Sequence, residues 1–152
     1  MIEIYTDGAY SSSRNQGGWA FVVVQDNKVI HKDYEGLLNT TNNRMELLAV
    51  IVGLEKLKKP NMKVLVVSDS KYVVDSVEKK WVLGWEKKGF AGRKNADLWK
   101  RFLIVYRKHQ VDFKWIKGHN NHPQNERCDE LAVMASQQKQ LSIDSFYENE
   151  EK

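Results

Sequence analysis

The order of strand-like and helix-like segments in this sequence predicts an α/β domain with a mixed sheet. Three strand patterns follow one another at the N-terminus, as in an antiparallel meander, and helices and strands then alternate. Val64–Val67 is a short continuous apolar run, which is typical of a central strand covered on both faces. The chain has 152 residues and 41% of them are hydrophobic, so we expect one domain with an ordinary core.

The first half of the chain supplies the meander and one long helix. Alternation predicts a first strand over Ile2–Thr6, and a polar turn over residues 11–18 leads to a second strand over Trp19–Val24. A third strand is predicted from about residue 28 to 38. Apolar residues then recur at helical spacing from residue 42 to 58, on more than one side, which predicts a buried helix.

The second half continues the alternation after the central strand. Helix patterns recur over residues 96–108 and from 123 to about 139, with a fifth strand predicted between them over residues 111–116. We expect residues 1–139 to form the folded domain and residues 140–152 to form a flexible acidic tail.

Several classes of protein are excluded by features that the sequence lacks. It has no apolar run near the roughly 18 to 20 residues of a membrane helix, and its first residues lack the basic start of a signal peptide. Cys128 is the single cysteine, so the chain forms neither an internal disulfide framework nor a cysteine-built zinc site. We therefore expect a cytoplasmic monomer with no membrane contact.

Charge is distributed unevenly along the chain. The formal net charge is +4, but the last nine residues hold four acids and one lysine. Residues 78–101 instead contain eight Lys and Arg against three acids, interleaved with Trp81, Trp85, Phe90 and Trp99. This pattern suits a polyanion that offers stacking faces, such as a nucleic acid. The alternative is an ordinary solvated helical surface whose tryptophans turn into the core.

Four carboxylates occur among apolar residues, where burying a charge is energetically unfavourable. They are Asp7 at the end of the first strand, Glu46 in the apolar helix, Asp69 after the central strand and Asp129 in the last helix. Each alone is explained by a turn, a cap or a solvent-facing side chain. Together we expect them to meet, because ligands bind where adjacent central strands end. Their hard oxygens suit Mg²⁺ or Mn²⁺, and paired ions cleave phosphodiesters, so the set indicates a nuclease.

One histidine is a candidate catalytic residue. His119 follows Gly118 in the polar loop between the last strand and the last helix, close in sequence to Asp129. A mobile loop there could bring its imidazole to the metal site, where it would shuttle a proton at neutral pH. The alternative is an idle surface histidine.

Five motifs carry a resemblance to a known family. They are Tyr5-Thr6-Asp7-Gly8-Ala9, Thr40-Thr41-Asn42-Asn43-Arg44-Met45-Glu46-Leu47, Ser68-Asp69-Ser70-Lys71-Tyr72, Trp115-Ile116-Lys117-Gly118-His119 and Asn125-Glu126-Arg127-Cys128-Asp129-Glu130-Leu131-Ala132. In this order, over about residues 1–137, they closely resemble ribonuclease H of type 1. The resemblance implies a ribonuclease H-like fold, whose five-stranded mixed sheet has its first three strands antiparallel and carries helices on both faces.

The same resemblance implies an activity. It is endonucleolytic hydrolysis of the RNA strand of RNA–DNA hybrids with two Mg²⁺ ions, which Mn²⁺ can replace, leaving 3′-hydroxyl and 5′-phosphate ends. The implied role is removal of RNA primers and hybrids during DNA replication. The four carboxylates match the family's metal-binding catalytic residues, and His119 matches its mobile loop histidine.

Contacts with the hybrid are implied as well. Asn42 and Asn43 match positions that read the minor groove, where the 2′-hydroxyl distinguishes RNA from DNA. Thr41 and Asn95 match a pocket for a phosphate of the DNA strand. Further expected contacts are Trp81 and Trp85 in the DNA-strand channel and basic protrusion, together with Gly8, Ser13, Asn15, Lys71, Lys87 and Lys88.

The sequence departs from the family's pattern at three places. The loop between Phe90 and Asn95 is shorter than in the best-known bacterial members. Ser13 stands where an asparagine is usual, so Ser13 or Asn15 is expected to remake one 2′-hydroxyl contact. Lys71 stands where a glutamine is common and could add a phosphate or base contact.

The tail carries a second resemblance. Residues 140–147 have the form of peptides that bind ring-shaped sliding clamps, with anchor positions at Gln140, Ile143, Phe146 and Tyr147. An apolar anchor on a flexible acidic segment suits a groove on a partner. The sequence thus predicts a replication clamp as a partner, and the alternative is a helix extension that folds Phe146 back onto the body.

Two other functions are open on sequence grounds. One is a non-catalytic module that binds hybrid or double-stranded RNA, and the presence of all four carboxylates disfavours it. The other is a DNA nuclease of the resolvase or integrase kind, which the matches at residues 41–43 and 95 disfavour.

Overall fold

A computed structural model describes residues 1–118, 122–138 and 142–144 of the chain. Its elements, in chain order, are β1 (Ile2–Ser11), β2 (Gln16–Gln25), β3 (Lys28–Leu38), α1 (Asn42–Glu55), β4 (Lys63–Ser68), α2 (Lys71–Glu78), α3 (Trp81–Lys87), α4 (Ala96–Tyr106), β5 (Gln110–Trp115), α5 (Pro123–Ser136) and β6 (Ser142–Ile143). Among the residues in these ranges, no helix has the length and apolar character needed to cross a membrane.

The strands form one mixed sheet in the order β5-β4-β1-β2-β3-β6. β1, β2 and β3 form an antiparallel meander, whereas β4 joins β1, and β5 joins β4, in parallel. The predicted five-stranded mixed sheet is therefore confirmed, and β6 adds a two-residue sixth strand next to β3. β1 and β4 are neighbouring strands near the middle of the sheet, so the C-terminal end of β4 lies next to β1.

Helices cover both faces of the sheet because successive strand side chains point in opposite directions. Ile4 and Phe21 point into the larger core, which they share with α1, α2 and α4. Tyr5 and Val22 point the other way and pack against α5, which contributes Leu131. The predicted placement of helices on both faces is confirmed.

Helix α1 is the buried centre of the larger core, as its apolar composition predicts. Thr41 caps the helix, since its hydroxyl accepts a hydrogen bond from the Arg44 N–H at 3.2 Å. The fully enclosed apolar side chains of the helix include Met45, Leu47, Ala49, Val50, Ile51 and Leu54. The start of α1 is thus held in a defined position against the sheet.

Glycines in β2 allow the helices to approach the sheet closely. A Cβ on Gly18 would collide with the carbonyl oxygen of Ala132 in α5, and a Cβ on Gly17 would lie 2.8 Å from the Met45 side chain of α1. The predicted turn over residues 11–18 is therefore wrong in its second half, because Gly17 and Gly18 belong to β2 and the turn spans only residues 12–15. These glycines serve close packing rather than a bend.

Strand β1 is longer than predicted. It pairs with β2 as far as Ser11, so Asp7 lies within the strand and not at its end. The parallel pairing with β4 does stop nearby, at Tyr5 and Val67. Asp7 therefore projects beside the end of β4, where the sequence places Asp69.

Part of the predicted flexible tail is held on the body. Ser142 and Ile143 pair in parallel with Leu37 and Leu38, and Asp144 is buried. Asp144 forms an ion pair with the buried guanidinium of Arg44, which holds these three residues in the structure. The division into a domain over residues 1–139 and a flexible tail over residues 140–152 stays a prediction. The other expected anchor positions, Gln140, Phe146 and Tyr147, lie outside the described residues.

Gly18→Ala should destabilise the fold by about 1–3 kcal/mol, since the new methyl group meets the backbone of α5 and not a flexible side chain. Gly84→Ala is the matched control, because nothing lies within 4 Å of a Cβ at that position, and alanine favours a helix. Denaturant unfolding measures both changes. Equal stabilities of the two variants would contradict close packing at Gly18.

Candidate functional site

Four carboxylates from four different elements line one cleft at the end of β4. Its volume is about 440 Å³. Ligand oxygens of Asp7, Glu46 and Asp69 lie within 4.8 Å of one another, and Asp129 of α5 lines the same cleft. The cleft is lined by Asp7, Gly8, Asn42, Asn43, Glu46, Asp69, Ser70, Lys71, Tyr72 and Asp129. The structure therefore brings together all four carboxylates that the sequence singles out.

Gly8 sets the distance between Asp7 and Glu46. A Cβ on Gly8 would lie 2.5 Å from the backbone nitrogen of Glu46, so only glycine allows α1 to cross β1 this closely. The Gly8 N–H donates to Asp7 Oδ1 at 2.9 Å and to Glu46 Oε1 at 3.0 Å. A strand glycine thus holds two acidic side chains side by side.

The electrostatics of the cleft favour a bound cation. Burial, followed by the charges of Glu46 and Asp69, raises the pKa of Asp7 far above its usual range. Burial, followed by the charge of Asp69, also raises the pKa of Glu46, although the Gly8 N–H opposes this shift. Glu46 Oε2 is buried and has no hydrogen-bond partner among the described residues. A divalent cation would satisfy this oxygen and offset the repulsion, so the donor set fits Mg²⁺ or Mn²⁺.

His119 lies outside the described residues, so its place at the cleft stays a prediction. The residue before it does lie at the cleft. A Cβ on Gly118 would sit 3.0 Å from Asp69 Oδ2, which means that the loop after β5 passes directly against this carboxylate.

Residues at the start of α1 form one side of the cleft. Asn42 and Asn43 are exposed and line it, whereas Thr41 uses its hydroxyl as the cap of the helix. Lys71 at the start of α2 is also exposed, and its ammonium lies 4.9 Å from the centre of the Trp115 ring. These side chains are in a position to contact a ligand that reaches the carboxylates.

Polar side chains of the β1–β2 turn are hydrogen-bonded to residues of β1 and to the residue that follows β3. Asn15 accepts a hydrogen bond from the Tyr10 hydroxyl at 2.9 Å and donates to Asn39 at 2.5 Å. Ser13 is exposed and shares a hydrogen bond with Ser11. Of the two expected substrate contacts here, Ser13 is the more accessible.

The basic aromatic segment forms a second surface next to the cleft. Trp81 is 47% exposed, and the Lys79 ammonium lies 5.3 Å from its ring centre. Trp85 packs edge-on against Trp99, and the Arg93 guanidinium lies 4.9 Å from the Trp85 ring. Exposed cations therefore stand over one exposed ring and one half-buried ring, an arrangement that suits a surface for nucleic acid. Its two further expected contacts, Lys87 and Lys88, are exposed.

One tryptophan of this segment fits the alternative interpretation, in which the ring packs into the core. Trp99 is fully buried, and its Nε1 donates to the Tyr72 hydroxyl at 2.9 Å. Asn95 is buried too, and its Nδ2 donates to the same hydroxyl at 3.1 Å. The side chain of Asn95, at which a phosphate contact is expected, is therefore already held by its neighbours.

Sequence reasoning did not single out Tyr72, Arg44 or Asp144. Tyr72 lines both the carboxylate cleft and a smaller pocket of about 260 Å³ beside Trp85. Arg44 is buried between two aspartates, and Asp144 is one of them. An arginine among apolar residues of α1 was the available signal, but the sequence does not show which carboxylates neutralise it.

Comparisons with known proteins agree with this site. A sequence model of the family described as RNase H matches residues 1–137. Ribonuclease H of Rippkaea orientalis is 44% identical over 97% of this chain and 93% of its own length, and that of Desulforamulus reducens is 46% identical over 94% and 92%. The crystal structure of LC9-RNase H1, a type 1 RNase H with the type 2 active-site motif, superposes with a TM-score of 0.79 at 28% identity, covering 89% of this chain and 71% of that one.

The fold also occurs within a larger protein. Prototype foamy virus protease-reverse transcriptase superposes with a TM-score of 0.76 at 26% identity, covering 91% of this chain and 21% of that one. The family match covers the whole region that carries the four carboxylates, and the curated relatives match over nearly their full length. The chain therefore belongs to the ribonuclease H family and is a ribonuclease H enzyme.

Proposed function

We propose that this enzyme hydrolyses the RNA strand of RNA–DNA hybrids with two Mg²⁺ ions, which Mn²⁺ can replace, and leaves 3′-hydroxyl and 5′-phosphate ends. The observation that carries the proposal is the cluster of buried Asp7 and Glu46 with half-buried Asp69, beside exposed Asn42 and Asn43. One oxygen of Glu46 has no hydrogen-bond partner among the described residues. Carboxylates supply a cation site, and the amides supply groups that can recognise a 2′-hydroxyl.

Asp7, Glu46, Asp69 and Asp129 would hold the ions. The chemistry that a bound pair of Mg²⁺ ions supplies is activation of a water and stabilisation of the leaving oxygen. The protein's own contribution is rigidity, because Gly8 and the parallel pairing of β1 with β4 keep the carboxylate oxygens together before any ligand arrives. Such preorganisation avoids the cost of assembling the site during the reaction.

The two surfaces suggest how a hybrid lies on the protein. The RNA strand would cross the carboxylate cleft, where the amides of Asn42 and Asn43 reach the minor groove. The DNA strand would lie along Trp81, Trp85 and the exposed lysines that follow them. The distinction between the strands follows, because only the RNA strand has 2′-hydroxyls for the amides to bind.

His119 would assist the reaction from the loop after Gly118, as a proton carrier or by helping the product leave. The close approach of Gly118 to Asp69 supports this role. Removal of RNA primers during replication is the biological role that we propose, and cytoplasmic location and a monomeric state stay predictions.

We also propose that the tail binds a replication sliding clamp through Gln140, Ile143, Phe146 and Tyr147. Ile143 supports the proposal because its side chain is 55% exposed, although its backbone pairs with β3. Seating the whole motif in a groove would require β6 to leave β3. Binding to a clamp would therefore compete with the contacts that hold residues 142–144.

Asp7→Asn should stabilise the metal-free protein at pH 8 by about 1–3 kcal/mol, because the raised pKa of Asp7 makes the folded wild type retain a proton that the unfolded chain releases, whereas asparagine needs none. A carboxyl whose folded pKa is raised stabilises the fold while it is protonated, so the wild type loses this stability as pH rises and the variant does not. The difference should vanish below about pH 4, where the carboxyl is protonated in both states. Urea unfolding in EDTA at several pH values measures it, and no gain at pH 8 would contradict the repulsion.

Asp69→Asn should lower hybrid cleavage by at least about 100-fold while leaving the fold intact, because one ligand charge is lost with little change of shape. Asp112→Asn is the matched control, since Asp112 is exposed on the neighbouring strand β5. Cleavage assays on RNA–DNA hybrid, duplex RNA and duplex DNA, in Mg²⁺ and in Mn²⁺, test both activity and substrate. Full activity of Asp69→Asn would overturn the metal assignment, and preference for duplex DNA would overturn the substrate.

Replacing both Phe146 and Tyr147 by alanine should weaken binding to a purified bacterial sliding clamp by about tenfold or more, because the apolar anchors are lost. This variant keeps residues 142–144, so hybrid cleavage should be unchanged. Ile30→Ala is the control, since it removes an exposed apolar side chain from the body. Unchanged affinity in calorimetric titrations with the clamp would refute the role of the tail.

A further inference from the structure

Arg44 is a buried cation that depends on the C-terminal segment. It is 2% exposed, although it is a charged residue of α1. Its Nη1 and Nη2 donate to Asp97 at 2.9 and 2.8 Å, and its Nε and Nη2 donate to Asp144 at 2.6 and 3.0 Å. A guanidinium at this depth is stable only with such paired acceptors, so Asp144 is part of the interior although it lies beyond residues 1–137.

Asp144 also holds the connection between β3 and α1. Its carboxylate accepts a hydrogen bond from the Thr40 hydroxyl at 2.8 Å, and its backbone N–H donates to the Leu38 carbonyl at 3.1 Å. The next residues along this connection are Thr41, the helix cap, and Asn42, which lines the carboxylate cleft. The position of the amides at the cleft thus depends on a residue about a hundred positions away in sequence.

A second line of contacts leads from Arg44 to the far wall of the cleft. Arg44 Nη1 donates to Asn95 Oδ1 at 3.4 Å, and Asn95 Nδ2 donates to the Tyr72 hydroxyl at 3.1 Å. Tyr72 lines the carboxylate cleft and also the pocket beside Trp85. A line of hydrogen bonds thus runs from Asp144 through Arg44 and Asn95 to Tyr72, the residue that lines both pockets.

We propose that Asp144 is a positioning residue for the substrate, acting through Thr40 on the amides at the cleft and through Arg44 on Tyr72, which lines both the cleft and the pocket beside Trp85. The proposal rests on the proposed cleavage of hybrids. Asp144 touches neither the substrate nor the carboxylates in this account. Asp7 and Asp69 are held by β1, β4 and Gly8, which Asp144 does not contact, so its loss should affect hybrid binding and not the chemical step.

The test is a comparison of steady-state cleavage of a short RNA–DNA hybrid by full-length variants. Asp144→Asn should raise KM about tenfold and leave kcat within about twofold, because contacts made equally before and during the reaction alter binding alone. Thr40→Val, which keeps the ion pair and removes one hydrogen bond to Asp144, should raise KM about threefold. This milder change keeps the test decisive if Asp144→Asn does not fold.

Two controls separate positioning from loss of stability. Glu55→Gln weakens the paired hydrogen bonds with Arg101, which join the last residue of α1 to the middle of α4, and should change neither KM nor kcat. Leu54→Ala removes a fully buried side chain far from the cleft and should lower the melting temperature without raising KM. All assays are run well below the melting temperature of the least stable variant.

The outcomes distinguish this proposal from the proposed function. A wild type that does not cleave hybrid would refute the function itself. A wild type that cleaves, with KM unchanged in Asp144→Asn and in Thr40→Val, would overturn the positioning role. An equal rise of KM in Leu54→Ala would also overturn it, because general destabilisation would then be the cause. Hybrid affinity in EDTA, measured by fluorescence anisotropy, should fall by the same factor as KM rises.

Discussion

The repulsion among Asp7, Glu46 and Asp69 is the constraint on which the rest of this structure depends. Burial raises the pKa of Asp7 and Glu46, which means that the fold places acidic groups where their charged form is unfavourable. Such an arrangement persists because the surroundings are rigid. The glycine at position 8 lets α1 cross β1 closely. The apolar side chains in the rest of α1 are enclosed by the core, so the helix cannot move away from β1.

The opposite charges of the protein lie around this cluster. The basic aromatic surface lies on α3 and the following loop, and the buried guanidinium of Arg44 in α1 is paired with Asp97 and Asp144. The small net charge of +4 is thus the sum of regions with distinct roles. An acidic centre suits metal ions, whereas a basic surface suits the phosphates on either side of the bond to be cut.

Local patterns in the sequence were sufficient to predict the layers of the fold and to identify the four carboxylates of the cleft. Alternation identified β1, and apolar runs identified β2 and β4, because these signals arise from burial on one or two faces. The four acids were recognisable because charge is rare in apolar segments. The predicted turn over residues 11–18 was wrong at Gly17 and Gly18 for a physical reason. A glycine in a closely packed strand has the same local sequence pattern as a glycine in a bend.

Contacts between distant parts of the chain could not be predicted. Nothing near Arg44 in sequence indicates that Asp97 and Asp144 neutralise it, and a short acidic tail has the composition of a disordered segment. Tyr72 gains its position from Asn95 and Trp99, which are brought to it by α4. These are properties of the assembled core.

The most direct test of this account is calorimetric titration of Mg²⁺ or Mn²⁺ into the nucleic-acid-free protein near pH 7, repeated in buffers of different ionisation enthalpy. Because the raised pKa values of Asp7 and Glu46 leave protons in the cluster, we predict release of roughly one proton as the cluster binds metal. Metal binding without proton release, or no metal binding at all, would contradict a cluster of repelling carboxylates held ready for a cation.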